Sequence, residues 1–207
     1  MDKHNSRRMA LIQYLIQQGY LRTPEIIEAF KAVPRHLFVP ESQQNDAYSD
    51  VPLPIGHGQT ISAPHMNALC TELLSPNRRD AVFEVGAGSG YQAALLAGLV
   101  KNVVSIELEQ GLVARAQCAL KEAGIKNVTI RHGDGSNGYK RGAPYDKIIV
   151  TCACEHIPPR LIDQLKTGGT LVLPLGHMIQ TLTAVKKTAR GIITERHGGC
   201  VFVPLRR

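Results

Sequence analysis

One stretch of the sequence decides the fold: Ala81-Val82-Phe83-Glu84-Val85-Gly86-Ala87-Gly88-Ser89-Gly90. Its first half is a short apolar run of the kind found in buried β-strands, and its alternate glycines permit a tight turn. A helical pattern follows from Tyr91 to Val100, so this region predicts a strand, a glycine turn and a helix in succession. The backbone of such a turn can approach a ligand closely, and the start of the helix supplies unpaired N–H groups beside it.

The rest of the chain continues this alternation of strand and helix patterns. Further strands are predicted over residues 103–107, 128–131, 146–151 and 169–174, and helices over residues 109–123 and 158–165. Strands that alternate with helices indicate a parallel sheet with helices on both faces. Residues 180–187 and 191–196 resemble a hairpin, which indicates an antiparallel edge, and residues 200–205 a last extended segment. The predicted fold class is therefore α/β: a doubly wound, mostly parallel, Rossmann-like sheet with an antiparallel edge.

The first part of the chain predicts an extension to this sheet. Helices are expected over residues 6–18 and from Thr23, the expected N-cap, to Pro34. Residues 34–59 predict an ordered, packed loop, and a helix follows Ser62-Ala63-Pro64. We expect one domain over residues 1–207. Its parts are N-terminal helices and a ligand loop in 1–78, a cofactor-binding core in 79–176, and a C-terminal hairpin with a substrate-side strand in 177–207.

The charge of the chain is positive but dispersed. Its 24 Lys and Arg against 17 Asp and Glu give a net charge of +7, without any long run of basic residues. No aromatic residues alternate with the basic ones, as a platform for single-stranded nucleic acid requires. The pattern favours a solvated basic face and no nucleic-acid partner, with an anionic substrate or polymer as the alternative.

The five cysteines are irregularly spaced, which favours reduced thiols in a reducing compartment. The segment Cys152-Ala153-Cys154-Glu155-His156 suggests a metal site, but three ligands on one short loop are cramped and no fourth is evident. We therefore expect no metal. The sequence has neither a signal-peptide pattern nor a long apolar window, so we expect a cytoplasmic protein without a membrane partner.

Two acidic residues follow the next two predicted strands. Glu107 ends the second strand, where a carboxylate can accept hydrogen bonds from both ribose hydroxyls of a nucleoside; a surface carboxylate is the alternative. Asp134 lies between two glycines after the third strand, where it can accept from the amino group of adenine; a simple turn is the alternative. With the glycine turn they indicate a nucleoside site without a polyphosphate cradle, which suits S-adenosylmethionine better than NAD or ATP.

Several motifs together resemble one family, the protein-L-isoaspartate (D-aspartate) O-methyltransferases. The resemblance covers nearly the whole chain. The motifs that carry it most strongly are Gly58-Gln59-Thr60-Ile61-Ser62-Ala63-Pro64, Gly88-Ser89-Gly90-Tyr91-Gln92, Gly133-Asp134-Gly135, Ala143-Pro144-Tyr145-Asp146 and Val203-Pro204-Leu205.

The resemblance implies a class I methyltransferase fold and a repair reaction. A methyl group would pass from S-adenosylmethionine, leaving S-adenosyl-L-homocysteine, to the α-carboxyl of an L-isoaspartyl residue, with D-aspartyl residues as a further acceptor. The ester would re-form a succinimide that reopens partly to normal aspartate. Damaged proteins and peptides are then the partners, and we expect a monomer, because a whole protein must reach the site.

The resemblance also implies the site residues. Ser62 would be the catalytic residue; since the acceptor carboxylate is already ionised at pH 7, we interpret it as an orienting donor, with a helix N-cap as a compatible role. Glu84 would reach the methionine amino group or cap a helix, and His65 would lie near the cofactor or be structural. The expected cofactor-binding residues are Gln59, Thr60, Ile61, Ser62, His65, Glu84, Gly86, Gly88, Gly90, Glu107, Leu108, Asp134, Gly135 and Thr151. The expected substrate-binding residues are Ile55, Thr60, Ser62, Val203, Pro204 and Leu205.

Two other functions remain open from the sequence. One is a related methyltransferase that acts on RNA or a small molecule, which the net charge of +7 allows. The motifs typical of amino-group methylation are absent, and Thr151-Cys152-Ala153-Cys154 occupies their place. The other is a non-catalytic binding protein with the same fold, against which the presence of Ser62, Glu107 and Asp134 argues.

Overall fold

A computed structural model describes residues 3–206. Residues 1, 2 and 207 of the predicted domain lie outside the described part. The α-helices are α1 Lys3–Gln17, α2 Pro24–Ala32, α3 Pro64–Leu74, α4 Tyr91–Ala97, α5 Gln110–Glu122 and α6 Pro159–Gln164. The strands are β1 Leu53–Gly56, β2 Gln59–Ile61, β3 Ala81–Val85, β4 Asn102–Glu107, β5 Val128–His132, β6 Tyr145–Val150, β7 Leu165–Leu175, β8 Gln180–Thr188 and β9 Gly191–Cys200.

The centre of the molecule is a seven-stranded sheet in the order β5-β4-β3-β6-β7-β8-β9. The strands from β5 to β7 are parallel, and β8 and β9 add an antiparallel edge. The chain first builds the sheet outward from β3 through β4 to β5 and then returns to the other side of β3 with β6. The order therefore reverses at β3, and ligands of such sheets bind at the carboxyl ends of the strands beside this point.

Strand alternation divides the core between the two faces of the sheet. Val82 packs with α1 to α5 on one face, whereas Phe83 and Val85 pack with α6 on the other. The second face is also covered by the segment around Tyr139 and by the C-terminal residues Val203 and Leu205. The predicted fold class is confirmed, with the helices distributed unevenly between the faces.

Glu72 joins the N-terminal helices to α3. Its carboxylate accepts hydrogen bonds from the Arg22 N–H at 2.8 Å, the Thr23 N–H at 2.9 Å and the Thr23 hydroxyl at 2.7 Å. Thr23 is the N-cap residue of α2, as predicted, and Pro24 follows at the first helical position. The Thr23 side chain makes no cap hydrogen bond to the helix, because its hydroxyl donates to Glu72.

Residues 34–59 are ordered, but they contain more regular structure than predicted. Two 3-10 turns, Arg35–Phe38 and Glu41–Gln43, follow α2, and β1 pairs with β2 in an antiparallel hairpin. The prolines at 52 and 54 interrupt the strand pattern in the sequence, so the hairpin is not predicted there. The expected last extended segment, residues 200–205, follows β9, which ends at Cys200, and it pairs through a bridge between Ala153 and Pro204.

The Cys-x-Cys segment has a structural role. Ala153 and Cys154 form bridges to Pro204 and Leu175, so the segment joins the C-terminal residues to the end of β7. All five cysteines are free thiols, and only Cys118 is exposed. Over the described residues, no set of His, Cys, Asp and Glu side chains is arranged to hold a metal ion. Likewise, no helix between residues 3 and 206 has the length and apolar character needed to cross a membrane.

The Glu72 contacts predict a measurable contribution to stability. We expect Glu72→Ala to lower the free energy of unfolding by about 2–3 kcal/mol, because the loss leaves two backbone donors unpaired, and Thr23→Val by about 1 kcal/mol. Urea unfolding monitored by circular dichroism measures both. The control is Glu28→Ala, which removes only an exposed ion pair with Lys31 and is expected to cost less than about 0.5 kcal/mol. Equal losses for Glu72→Ala and Glu28→Ala would contradict this role.

Candidate active site at the carboxyl edge of the sheet

The glycine turn after β3 passes very close to β6. Gly86, Gly88 and Gly90 have positive φ angles of 89°, 53° and 86°. A Cβ atom on Gly86 would lie 2.6 Å from Thr151 Oγ1, so a side chain has no room there. The Thr151 hydroxyl donates to the carbonyl oxygens of Gly86 and Val85 at 2.5 and 3.0 Å. These contacts explain why glycine is needed at 86.

Glu107 connects the glycine turn to the start of α5. One carboxylate oxygen accepts from the Gly88 N–H at 2.7 Å and the other from the Glu109 N–H at 2.8 Å. The side chain is only 6% exposed, yet it lines the cleft. Each carboxylate oxygen has a second lone pair, so Glu107 can hold the turn and still accept hydrogen bonds from a ligand.

Two adjoining pockets form the cleft and share Gln59, Gly86, Glu107 and Cys152. They span about 500 and 370 Å³, a space that is partly open to solvent. The further residues of the first pocket include Thr60, Ile61, Ser62, Asn67, Gly88, Ser89, Tyr91, Gln92, Thr151 and Val203. The further residues of the second include Leu108, Gly133, Gly135, Pro204, Leu205 and Arg206.

Most of the predicted site residues therefore come together at one cleft. The predicted residues that do not line these two pockets are Ile55, His65, Glu84, Gly90 and Asp134. Gly90 begins α4 as its N-cap, where its positive φ turns the chain into the helix. The other four have specific contacts that show what they do in the protein.

Asp134 and His65 are both held by hydrogen bonds within the protein. The Asp134 carboxylate accepts from the Ser136 N–H at 2.9 Å and the Asn137 amide at 2.7 Å, so it caps the 3-10 turn Gly135–Asn137. Asp134 also lines a wider groove beside the cleft. His65 contacts Asp50 through its N–H and its Nδ1, both at 2.9 Å. Ligand roles for the two remain predictions.

Ile55 and Ser62 support the cleft in different ways. Ile55 is 1% exposed and lies under the glycine turn, because its Cδ1 would be 3.5 Å from a Cβ on Gly88. Ser62 lines the cleft and is half-buried. Its alternative role as helix N-cap is wrong, since Ala63 is the N-cap of α3.

The end of the chain closes the second pocket. Arg206 Nη2 contacts Glu109 Oε1 at 2.6 Å, and His57 Nδ1 lies 3.6 Å from Glu109 Oε2. The β1–β2 hairpin and the C-terminal residues thus meet at the start of α5. Both elements line the cleft, since Gln59 belongs to both pockets and Pro204, Leu205 and Arg206 belong to the second.

Similarity to known proteins identifies the family of this chain. The family model "Protein-L-isoaspartate(D-aspartate) O-methyltransferase (PCMT)" matches residues 6–207. The chain belongs to this family.

Relatives and a solved structure agree over the full length. The chain is 49% identical to protein-L-isoaspartate O-methyltransferase 2 of Archaeoglobus fulgidus, over 98% of this chain and 94% of the relative. It is 50% identical to the protein-L-isoaspartate O-methyltransferase of Methanopyrus kandleri, over 96% and 90%. A Plasmodium falciparum PCMT crystal structure, in complex with S-adenosyl-L-homocysteine, is similar with a TM-score of 0.85 and 26% identity, over 100% and 99% of the two chains. The family and the enzyme class expected from the sequence are confirmed.

Sequence reasoning missed part of the cleft of this family member. Asn67 on α3 and Gln92 on α4 line the first pocket, and the Asn67 amide donates to Gln92 Oε1 at 2.9 Å. Behind them, the buried Arg35 donates to the Ser62 carbonyl at 2.7 Å. The available signal was the presence of polar residues on otherwise apolar helix faces, which indicates a buried network or a site.

Glu84 is a fully buried carboxyl group beside the cleft. Ser105, its neighbour on β4, donates to Glu84 Oε2 at 2.5 Å, and Oε1 has no partner among the described residues. Burial raises the pKa of Glu84 from 4.5 to about 8; the Ser105 hydrogen bond opposes this shift and the nearby Glu107 adds to it. The carboxyl group is therefore mainly neutral at pH 7 in the folded protein.

This pKa predicts a pH dependence of stability. The folded state holds a proton on Glu84 that the unfolded state releases near pH 4.5, so this contribution is lost as pH rises from there to about 8. We expect Glu84→Gln to abolish this pH-dependent loss of stability. The difference in free energy of unfolding between Glu84→Gln and the unmodified protein should increase by on the order of a few kcal/mol from pH 4.5 to about 8. Urea titrations at a series of pH values measure the difference, and parallel pH profiles would contradict the raised pKa.

Proposed function

We propose that this cleft transfers a methyl group from S-adenosylmethionine to the α-carboxyl of L-isoaspartyl residues in damaged proteins, which starts their repair through a succinimide. The protein is a methyltransferase that uses S-adenosylmethionine, as its family membership establishes. One observation carries the assignment to this cleft. Thr60 and Ser62, from the motif specific to the family, line the same pocket as the glycine turn and Glu107.

The residues of the cleft fit the cofactor. Glu107 offers carboxylate lone pairs to ribose hydroxyls at the switch point of the sheet. Gly135 packs closely on Val85, because a Cβ on Gly135 would lie 2.7 Å from Val85 Cγ1, so a larger residue would displace this wall of the second pocket. The unpaired Glu84 Oε1 can accept from an ammonium group. We assign the ribose to Glu107, the adenine to the side of Leu108, Asp134 and Gly135, and the methionine part to the glycine turn and Glu84.

The chain has few chemical steps to perform. The cofactor supplies an electrophilic methyl group, and the acceptor carboxylate is ionised at pH 7, so no general base is needed. The remaining tasks are to align the acceptor and to exclude water. Ser62 and Thr60 provide hydroxyl donors for the carboxylate at the pocket wall, while the C-terminal residues and the β1–β2 hairpin shield the cleft. Ser62 acts in this scheme as an orienting donor and not as a nucleophile.

The C-terminal residues form the substrate side of the cleft. The Val203 carbonyl accepts from the Ala153 N–H at 2.8 Å, and the Leu205 N–H donates to the Ala153 carbonyl at 2.9 Å. These bonds hold Val203, Pro204 and Leu205 in an extended conformation along the pocket. Their other backbone groups can then pair with the acceptor peptide. Ile55 acts indirectly in this scheme, by supporting the glycine turn.

All three predicted parts of the chain contribute to this cleft. Residues 1–78 supply Thr60 and Ser62, residues 79–176 the glycine turn and Glu107, and residues 177–207 the substrate-side segment. We therefore propose that the chain works as one unit. We also propose a monomer, because the acceptor is a whole protein, and a cytoplasmic location, because the five thiols are unpaired.

Labelled S-adenosylmethionine and two peptides that differ only in isoaspartate versus aspartate test the activity. We expect base-labile label on the isoaspartyl peptide alone, because an ester forms at its free α-carboxyl. The parallel reaction with RNA tests the second methyltransferase function. Label on RNA, or cofactor binding without transfer to the isoaspartyl peptide, would contradict the proposal.

The role of Ser62 predicts a specific kinetic change. We expect Ser62→Ala to lower kcat about 10- to 100-fold while the Kd for S-adenosylmethionine changes little, because alignment is lost but the cofactor contacts remain. Steady-state kinetics and calorimetric cofactor binding measure the two quantities. Ser42→Ala, at an exposed serine outside the cleft, is the matched control. Undiminished turnover in Ser62→Ala would remove Ser62 from the mechanism.

A further inference from the structure

A buried guanidinium lies directly behind the proposed active-site serine. Arg35 begins the 3-10 turn Arg35–Phe38 and is 0% exposed. Its Nη2 donates to the Ser62 carbonyl at 2.7 Å, and its Nη1 to Asn67 Oδ1 at 3.2 Å. Since Ser62 and Asn67 both line the first pocket, the hydrogen bonds of Arg35 end on the pocket wall.

The charge of Arg35 has no ion pair among residues 3–206. Asp50, whose charge raises the pKa of Arg35, is hydrogen-bonded to His65. The other titratable groups that face Arg35 are Tyr48 and Tyr91, and the guanidinium lies 4.8 Å from the centre of the Tyr91 ring. Burial lowers the pKa of Arg35 to about 10, so the group remains charged at neutral pH. Burial of a charge without a counter-ion opposes folding. The presence of Arg35 at this position therefore indicates a functional role for its charge.

The polar groups around Arg35 form a connected network. The Asn67 amide donates to Gln92 Oε1, and the Gln92 amide donates to the Thr71 hydroxyl, both at 2.9 Å. The Thr71 hydroxyl in turn donates to the Asn67 carbonyl at 2.7 Å. An apolar residue at position 35 would leave the Ser62 carbonyl and the Asn67 side chain without their donors. The guanidinium therefore orients two residues of the pocket at once.

We infer that Arg35 is a positioning and specificity residue: it fixes Ser62 and Asn67 on the pocket wall, and its charge selects an ionised acceptor over a neutral one. This rests on the proposed function, in which the acceptor is a carboxylate. A fixed charge in a buried site acts over distances at which water would screen it, and it needs no reorientation when the anion arrives. The acceptor carboxylate then takes the place of the missing counter-ion.

Binding of two matched peptides tests the inference. One is an isoaspartyl peptide with a free α-carboxylate, and the other is the same peptide with an α-carboxamide. The Kd of each is measured by calorimetry in the presence of S-adenosyl-L-homocysteine, so that no turnover occurs. We expect the preference for the carboxylate to fall about tenfold or more in Arg35→Gln and to persist in Arg35→Lys at pH 6.

Two control variants separate charge from packing. Arg190→Gln removes an exposed arginine in the turn between β8 and β9 and should leave the preference and the melting temperature unchanged. Thr71→Val removes two network hydrogen bonds, one from the Gln92 amide and one to the Asn67 carbonyl, without altering charge. We therefore expect a lower melting temperature with an unchanged preference. A drop in preference in Thr71→Val equal to that in Arg35→Gln would show that packing, and not charge, is responsible.

Arg35→Lys adds a pH readout that does not depend on how well Arg35→Gln folds. Burial lowers the pKa of a lysine far more easily than it neutralises an arginine. We therefore expect the carboxylate preference of Arg35→Lys to decline as pH rises from about 6 to 9, while that of the unmodified protein persists. A preference that survives in Arg35→Gln, and in Arg35→Lys at every pH, overturns the inference. If the unmodified protein fails to methylate the isoaspartyl peptide, the proposed function fails, and the inference that rests on it fails too.

Discussion

The carboxyl edge of the sheet depends on how the backbone binds Glu107. Two N–H groups, from Gly88 and Glu109, donate to the two oxygens of one carboxylate. These donors belong to the turns that follow two neighbouring parallel strands, so a single side chain holds the turns at a fixed separation. The same carboxylate faces the cleft. Under the proposed function, stability of the turns and recognition of the ribose would therefore depend on the same carboxylate.

The cleft has walls from three remote parts of the chain. The parallel core supplies the floor through the glycine turn, Glu107 and Thr151. The β1–β2 hairpin and Ser62 after it supply the hydroxyl side, and residues 203–206 line the remaining side. Behind the hydroxyl side lies the network of Arg35, Asn67, Gln92 and Thr71, in which charge and amide groups are buried together. Such networks are stable only when nearly every group is paired, which makes the pocket wall rigid.

The sequence predicted the parallel core well because its signals are local. The apolar runs of β3, β4 and β6 are short, and β3 and β4 end beside Gly86 and at Glu107, so the strand ends follow directly. Glu107 and Thr151 were expected at strand ends for this reason, and both lie there and line the cleft. Asp134 could not be interpreted from its local pattern alone, since an Asp between two glycines is typical of a turn and also of a ligand-binding residue. In the structure it caps the 3-10 turn Gly135–Asn137.

The features that the sequence did not predict depend on pairs of distant residues. Glu72 binds the start of α2 from 49 and 50 positions away, and Arg35 reaches Ser62 across 27 positions. Periodicity contains no information about such partners, and an arginine that becomes fully buried looks like a surface arginine in the sequence. The β1–β2 hairpin was missed because its strands are short and β1 contains Pro54.

The contact between Arg206 and Glu109 lies outside the sheet, so the cover of the second pocket and the stability of the sheet are separate properties. It joins residues 97 positions apart, and both side chains remain partly exposed, so it contributes little free energy. The seven strands end at Cys200, before Pro204, Leu205 and Arg206, which line the second pocket. Local motion of residues 201–206 can therefore open the cleft while the sheet remains intact. Under the proposed function, exchange of spent cofactor for fresh cofactor would require only this local motion.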